Sequence, residues 1–179
     1  MLIGKRRKAV RNNKQIMQNK SKKGANVFLF LFGGVFALAG LGFFFAFVPG
    51  DLVDWQNMKS WVSVQGSLTD AGVESHTSDD ATTYEAVAKY RYRYQGKNYQ
   101  GSRVAISSGA DNISDFQQEI GGRLKRAWKK QQPITIWVNP QKPHESVIHR
   151  DMRWGLLLFQ SIFSFVFATV GIGIIVMSF

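Results

Sequence analysis

The stretches VFLFLFGGVFALAGLGFFFAFV at residues 27–48 and WGLLLFQSIFSFVFATVGIGIIVMSF at residues 154–179 decide how this chain is built. Neither contains a charged residue, and together they hold 13 of the 14 Phe. A helix rises about 1.5 Å per residue, so ~20 apolar residues cross the ~30 Å hydrocarbon layer of a bilayer. Both runs reach that length, and both are too long for a buried helix of so small a domain. Unpaired backbone groups in hydrocarbon cost several kcal/mol each, which requires helix despite the Phe, Val and Gly content. Pro49-Gly50 is expected to stop the first helix. Trp154, close to Arg150 and Arg153, marks the interface where the second begins.

Working outward, the charge is divided as sharply as the Phe. All 12 acids lie between the two runs, while nine of the 23 basic residues lie in the first 26 positions with no acid among them. By the positive-inside rule the arm 1–26 stays in the cytoplasm, 49–153 lies outside, and 154–179 returns the chain, giving an in–out–in path with both termini cytoplasmic. A cleavable signal peptide is the competing reading of 27–48, but its small-residue site Ala46-Phe47-Val48 puts Pro49 just after the cut, so the segment is read as an anchor. The arm is basic enough to suggest nucleic acid, but it lacks interleaved aromatics. Lys5, Arg6, Arg7, Lys8 and Arg11 are therefore read as contacts to anionic lipid headgroups. With no Cys, a disulfide-stapled secreted module is excluded.

Small residues recur in both runs: Gly33, Ala37, Gly42 and Ala46 in the first, Ser164, Ala168, Thr169 and Gly173 in the second. Pairs four apart let helix backbones approach closely, so the two helices are expected to pack together. No ionisable residue interrupts either run, which argues against a pump or a proton-coupled transporter.

Between the runs, Ser60–Ser67 reads as a first strand, and 69–82, rich in Asp, Ser, Thr and Gly, as a loop. The clearest pattern follows. Over Thr83–Gln95, Tyr84, Ala86, Ala88, Tyr90, Tyr92 and Tyr94 share one face, and Glu85, Val87, Lys89, Arg91 and Arg93 the other, as in a strand buried on one side. Gly96-Lys97-Asn98 is expected to turn the chain into a partner strand, Tyr99–Ile106. Over 111–130, Ile113, Phe116, Ile120, Leu124 and Trp128 recur at helical spacing, with Asp111 as the expected cap and a bend or break at Gly121-Gly122. Ile134–Val138 and Ser146–His149 complete a small antiparallel β-rich domain of four or five strands with one helix. The fold class is α+β, with two membrane helices flanking that domain.

Candidate sites are few. There is no Gly-x-Ser-x-Gly elbow and no phosphate-binding glycine loop. His76, His144 and His149 lack helical zinc spacing, and Asp79-Asp80 sits in a polar loop; the reading is of no enzyme, no metal and no cofactor. Lys89, Arg91 and Arg93, two apart on one strand face, form the candidate ligand or partner surface.

The order of features resembles the bacterial membrane family known as domain of unknown function 3592. The likeness rests on the Tyr-rich hairpin 84–101, on Ile134-Thr-Ile-Trp-Val-Asn-Pro-Gln-Lys-Pro143, and on the spans at each end. It implies an inner-membrane location and a β-rich outer domain, and it transfers no catalytic residue. The expected role is a non-enzymatic interaction or accessory module of the cell envelope, with a membrane or envelope protein as partner. A subunit of a channel-like or transport homo-oligomer is the second reading and an envelope enzyme the third.

Overall fold

The computed structural model describes residues 2–107 and 109–179, and before residue 22 it describes side chains only at positions 12, 16, 17 and 20. The side chains of Lys5, Arg6, Arg7, Lys8 and Arg11 therefore lie outside the described residues. The elements in order are helix α1 (Leu2–Met58), strands β1 (Val62–Thr77), β2 (Thr82–Tyr94) and β3 (Lys97–Gly101), helix α2 (Phe116–Lys129), strands β4 (Ile134–Val138) and β5 (Ser146–Val147), and helix α3 (Trp154–Met177). They form two compact units, Met1–Val48 with Leu158–Phe179, and Pro49–Leu157.

In the first unit α1 and α3 meet along a seam of small residues. Gly33, Ala37 and Gly40 face Ser164, Ala168 and Gly171 so closely that a Cβ on Gly33 would stand 2.7 Å from the Gly171 carbonyl. Phe36 stacks on Phe167 at 5.5 Å and Phe43 meets Phe163 at 5.2 Å. This corrects half of the expected set: Gly42, Ala46, Thr169 and Gly173 are exposed. Positions i, i+4 and i+7 keep to one helix face, and residues 42 and 46 have rotated off it. Both helices are long and apolar enough to cross a membrane. Their outward sides leave large apolar groups uncovered, with Leu38, Phe45 and Phe165 each at least 70% exposed.

Pro49 does not end α1, which runs on to Met58. The missing proline N–H costs one helical hydrogen bond, and the turns beyond it are held by contacts inside the second unit. Asp54 accepts a bond from Arg103 at 2.5 Å, Asp51 accepts one from Ser107, and Trp55 packs edge-on against Trp154 at 5.3 Å.

The second unit is a five-stranded antiparallel sheet in the order β3-β2-β1-β4-β5. β1 is its spine, pairing with β2 from Gly66 to Thr77 and with β4 from Val62 to Gly66. The segment 69–77, expected as loop, is therefore strand. A bulge between Leu68 and Asp70 explains why its pattern was hidden. Val64 and Leu68 pack on the core before it and Ala71 lies in the core after it, so the inward parity shifts by one residue. Thr69, the extra residue, bonds the Lys89 carbonyl at 3.1 Å.

β2 shows the expected alternation, with Ala86, Ala88, Tyr90 and Tyr92 buried and Lys89, Arg91 and Arg93 exposed. The turn after it is Gln95-Gly96 rather than Gly96-Lys97-Asn98. Both residues have positive φ (47° and 79°), as a two-residue hairpin turn matched to strand twist requires. β3 ends at Gly101, short of the expected Ile106. The chain beyond it crosses to the other edge of the sheet, where Ile148 and His149 donate to the carbonyls of Arg103 and Val104. The final expected strand accordingly shortens to Ser146–Val147, with His149 held in a single parallel bridge to Ala105.

α2 lies against β1 and β2 with Gln117, Ile120, Gly121 and Leu124 buried. Asp111 does not cap it, and the helix begins five residues later with no side-chain cap bond at Asp115. Nor does Gly121-Gly122 break it. A Cβ on Gly121 would meet Val73 Cγ2 at 2.5 Å and the Gly72 carbonyl at 2.6 Å, so helix and sheet backbones approach closely at this glycine. Gly122 faces outward, with Arg126 Nη1 at 3.5 Å the nearest atom.

The two glycines should respond oppositely to alanine. Gly121→Ala should destabilise the protein by about 1–3 kcal/mol through overpacking. Gly122→Ala should stabilise it by up to about 1 kcal/mol through helix propensity. Thermal unfolding of the two variants in detergent checks the signs. Two shifts in the same direction would contradict this packing.

Candidate functional site

Lys89, Arg91 and Arg93 stand together on the open side of the sheet, as the alternation of β2 requires. Register supplies their neighbours: Arg91 lies opposite Ser67 on β1 and Gln100 on β3, and Arg93 lies opposite Asn98. With Gln65, Arg91, Arg93 and these neighbours border a shallow depression of about 780 Å³, while Lys89 lies outside it, opposite Asp70 on β1. None of the ion pairs among the described residues involves Lys89, Arg91 or Arg93. Arg93 is partly oriented by its Nε, which donates to the Gly96 carbonyl at 3.2 Å. The depression therefore offers two planar guanidinium forks beside amide and hydroxyl groups. It is suited to hold carboxylate or phosphate groups. Ser67, Asn98 and Gln100 were not legible as members, because strand parity assigns a face only once the pairing register is known.

The opposite face of β2 is committed to the core. Tyr90 is 1% exposed, donates to the Arg103 carbonyl at 3.1 Å and shares a hydrogen bond with Ser146 at 3.2 Å. Burial pushes its hydroxyl up to about 12, against the lowering effect of the Ser146 bond. Tyr92 donates to the Pro143 carbonyl at 2.6 Å and stacks on Tyr99 at 5.6 Å. The Tyr stripe thus ties β2 to the β4–β5 connection.

The other sequence candidates fall apart in space. His76 is exposed, 3.9 Å from Glu85. Asp79 and Asp80 are exposed in the turn between β1 and β2, which the Ser78 N–H closes by donating to the Ala81 carbonyl. His149 lies with its ring 5.5 Å from Phe116. Burial holds it below its ordinary value, with Asp151 opposing and Arg123 adding to the effect. Glu145 accepts from Asn139 at 2.7 Å and pairs with Lys142 at 3.3 Å; the Asn139 bond leads in holding its carboxyl low. Among the described residues, no three His, Asp or Glu side chains are grouped to hold a metal ion.

Sequence reasoning also missed the arginines that fasten the sheet to its connecting segments. Arg103 bonds Asp54 and the carbonyls of Ala105 and Ile106. Arg150 lies 3.3 Å over the Trp137 ring and donates to the carbonyls of Met58 and Trp61. Arg153 makes a two-pronged bond to Asp111 at 2.7 and 3.0 Å, donates to the Ile113 carbonyl, and lies over Phe116. Asp111 also accepts from Gln117, whose amide oxygen in turn accepts from the Ala86 N–H at the edge of β2. Arg150 and Arg153 beside Trp154 read from sequence as interface markers, and nothing local pointed to partners 40 or more residues away.

The model of one protein family, described as Domain of unknown function (DUF3592), matches residues 64–153, which takes in most of β1 and everything from there to the foot of α3. No curated protein matches the chain.

The Arg153–Asp111 pair makes an acid-range prediction. Burial alone would raise the Asp111 carboxyl, but the bonds from Arg153 and Gln117 outweigh it and hold it below its ordinary 3.8. Its contribution to stability is then complete above that ordinary value and is lost as pH falls through the lower folded value. With the two side chains only 18% and 8% exposed, Asp111→Asn should cost about 3 kcal/mol at neutral pH by stranding the guanidinium. In unfolding experiments over a pH series, the gap between parent and variant should narrow in the acid range. A gap independent of pH would contradict the assignment.

Proposed function

We propose that this chain, which belongs to the DUF3592 family, is a membrane-anchored interaction module of the cell envelope. Two helices hold it in a bacterial inner membrane with both termini in the cytoplasm, and the sheet domain is displayed on the other side. The anchoring rests on the two long apolar helices with their uncovered Phe and Leu side chains. The orientation rests on the basic arm, which holds nine cations and no acid. The role rests on one observation above the others: Arg91 and Arg93 are aligned, exposed and outside the ion pairs of the described residues, beside the hydrogen-bonding side chains of the depression that they border, with Lys89 next along the strand. Aligned cations repel one another, and such an array favours an acidic surface on a protein partner.

Photo-crosslinking residues placed at Ser67 and Gln100, which flank Arg91 without replacing it, test this in intact cells. The expected result is one dominant envelope protein captured from both positions. Capture should be lost when Arg91→Glu and Arg93→Glu are combined, while stability changes by less than about 0.5 kcal/mol, as for exposed positions generally. Crosslinks only between copies of this chain would favour a homo-oligomeric assembly instead. Turnover of an envelope substrate by the pure protein, abolished by substitutions in the sheet domain, would overturn the non-enzymatic reading.

A further inference from the structure

The densest unbalanced charge of the second unit lies on α2 rather than on the sheet. Arg123, Lys125, Arg126, Lys129 and Lys130 fall within eight residues and all are exposed. The ion pairs among the described residues include none of them. At 3.6 residues per turn their side chains cover an arc of roughly 160°. Ile120, Gly121 and Leu124 hold the opposite side in the core. Five other cations of this unit are occupied: Arg103, Lys142 and Arg153 by carboxylates, Arg150 and Lys59 by indole rings.

The helix dipole accounts for part of this. It favours cations in the last turn, where Arg126 and Lys129 sit, and it fades beyond that turn. Arg123 and Lys125 lie earlier. Like charges three and four apart repel, and this helix carries four such pairs among its five cations. The isolated fold is therefore strained by charge that an external anion would relieve. Trp128, 36% exposed, lies one turn from Lys125 on the core side of the helix. On the membrane-anchored reading the two apolar helices tether this unit to a bilayer, so headgroups are the anions that α2 meets at the highest effective concentration.

We propose that the C-terminal half of α2 docks on the surface of a bilayer that carries anionic phospholipid headgroups. The inference rests on the membrane-anchored reading and adds to it a second, surface contact made by the sheet domain itself. Each basic side chain at such a surface strengthens association roughly fivefold, so removing three weakens it on the order of a hundredfold.

The test uses the full chain in lipid nanodiscs. Because the protein has no Cys, Gln132→Cys, at an exposed position just past α2, takes a single environment-sensitive fluorophore. In discs with about 30 mol% phosphatidylglycerol the emission should shift to the blue and an aqueous quencher should lose access, relative to pure phosphatidylcholine discs. About 0.5 M salt should reverse the change by screening. Combined Lys125→Gln, Arg126→Gln and Lys129→Gln substitutions, all at exposed positions, should abolish it. Equal emission in the two kinds of disc at low salt would overturn the proposal. So would protection by soluble polyphosphate in phosphatidylcholine discs with none from the anionic lipid, which would mark a polymer site. A chain that enters neither kind of disc would overturn the anchored reading itself, and the inference with it.

Discussion

The two-sidedness of β2 is the constraint on which the sheet domain depends. Its buried face supplies Ala86, Ala88, Tyr90 and Tyr92 to the core, and its open face carries every cation of the candidate surface. Side chains alternate with a period of two, so a slip of one residue would put Lys89, Arg91 and Arg93 into the core and the tyrosines into water. Four bonds prevent that slip: Tyr90 to Ser146 and Arg103, Tyr92 to Pro143, and the Ala86 N–H to Gln117. All of them reach beyond the neighbouring strands. The core and the candidate surface are thus one structural decision, made by the same thirteen residues.

The ends of the domain are fixed by different chemistry. Where α1 enters and α3 leaves, three arginines bond carboxylates and main-chain carbonyls or lie over aromatic rings, instead of a larger apolar core taking that role. A domain of this size can bury only a limited core, and guanidinium groups satisfy several carbonyls of irregular backbone at once. This divides the cations into two classes. Arg103, Arg150 and Arg153 are consumed by the fold, while those on β2 and α2 stand outside the ion pairs of the described residues and carry the functional readings.

Much of this was legible from residue types alone. The apolar runs gave the long helices, the Tyr-rich alternation gave β2 and its faces, and Ile134–Val138 was read at its true limits. What failed did so for identifiable reasons. The bulge at Thr69 broke the period-two pattern, so half of β1 read as loop. Pro49 and Gly121-Gly122 carry local signals against helix, which tertiary contacts overrode in both places. The cations of the surface were visible in sequence, while their hydrogen-bonding neighbours awaited the register, and the arginine anchors depend on pairings far apart in the chain.

The most direct test of the central claim is a cysteine scan through residues 88–93, one position at a time in this cysteine-free chain, using a membrane-impermeant thiol reagent on cells whose inner membrane is intact. Rapid modification at positions 89, 91 and 93 and protection at 88, 90 and 92 is the expected result, and it would establish both the facing of β2 and the side of the membrane on which it is displayed. Uniform reactivity or the opposite parity would contradict the register. Labelling only after the inner membrane is permeabilised would contradict the orientation.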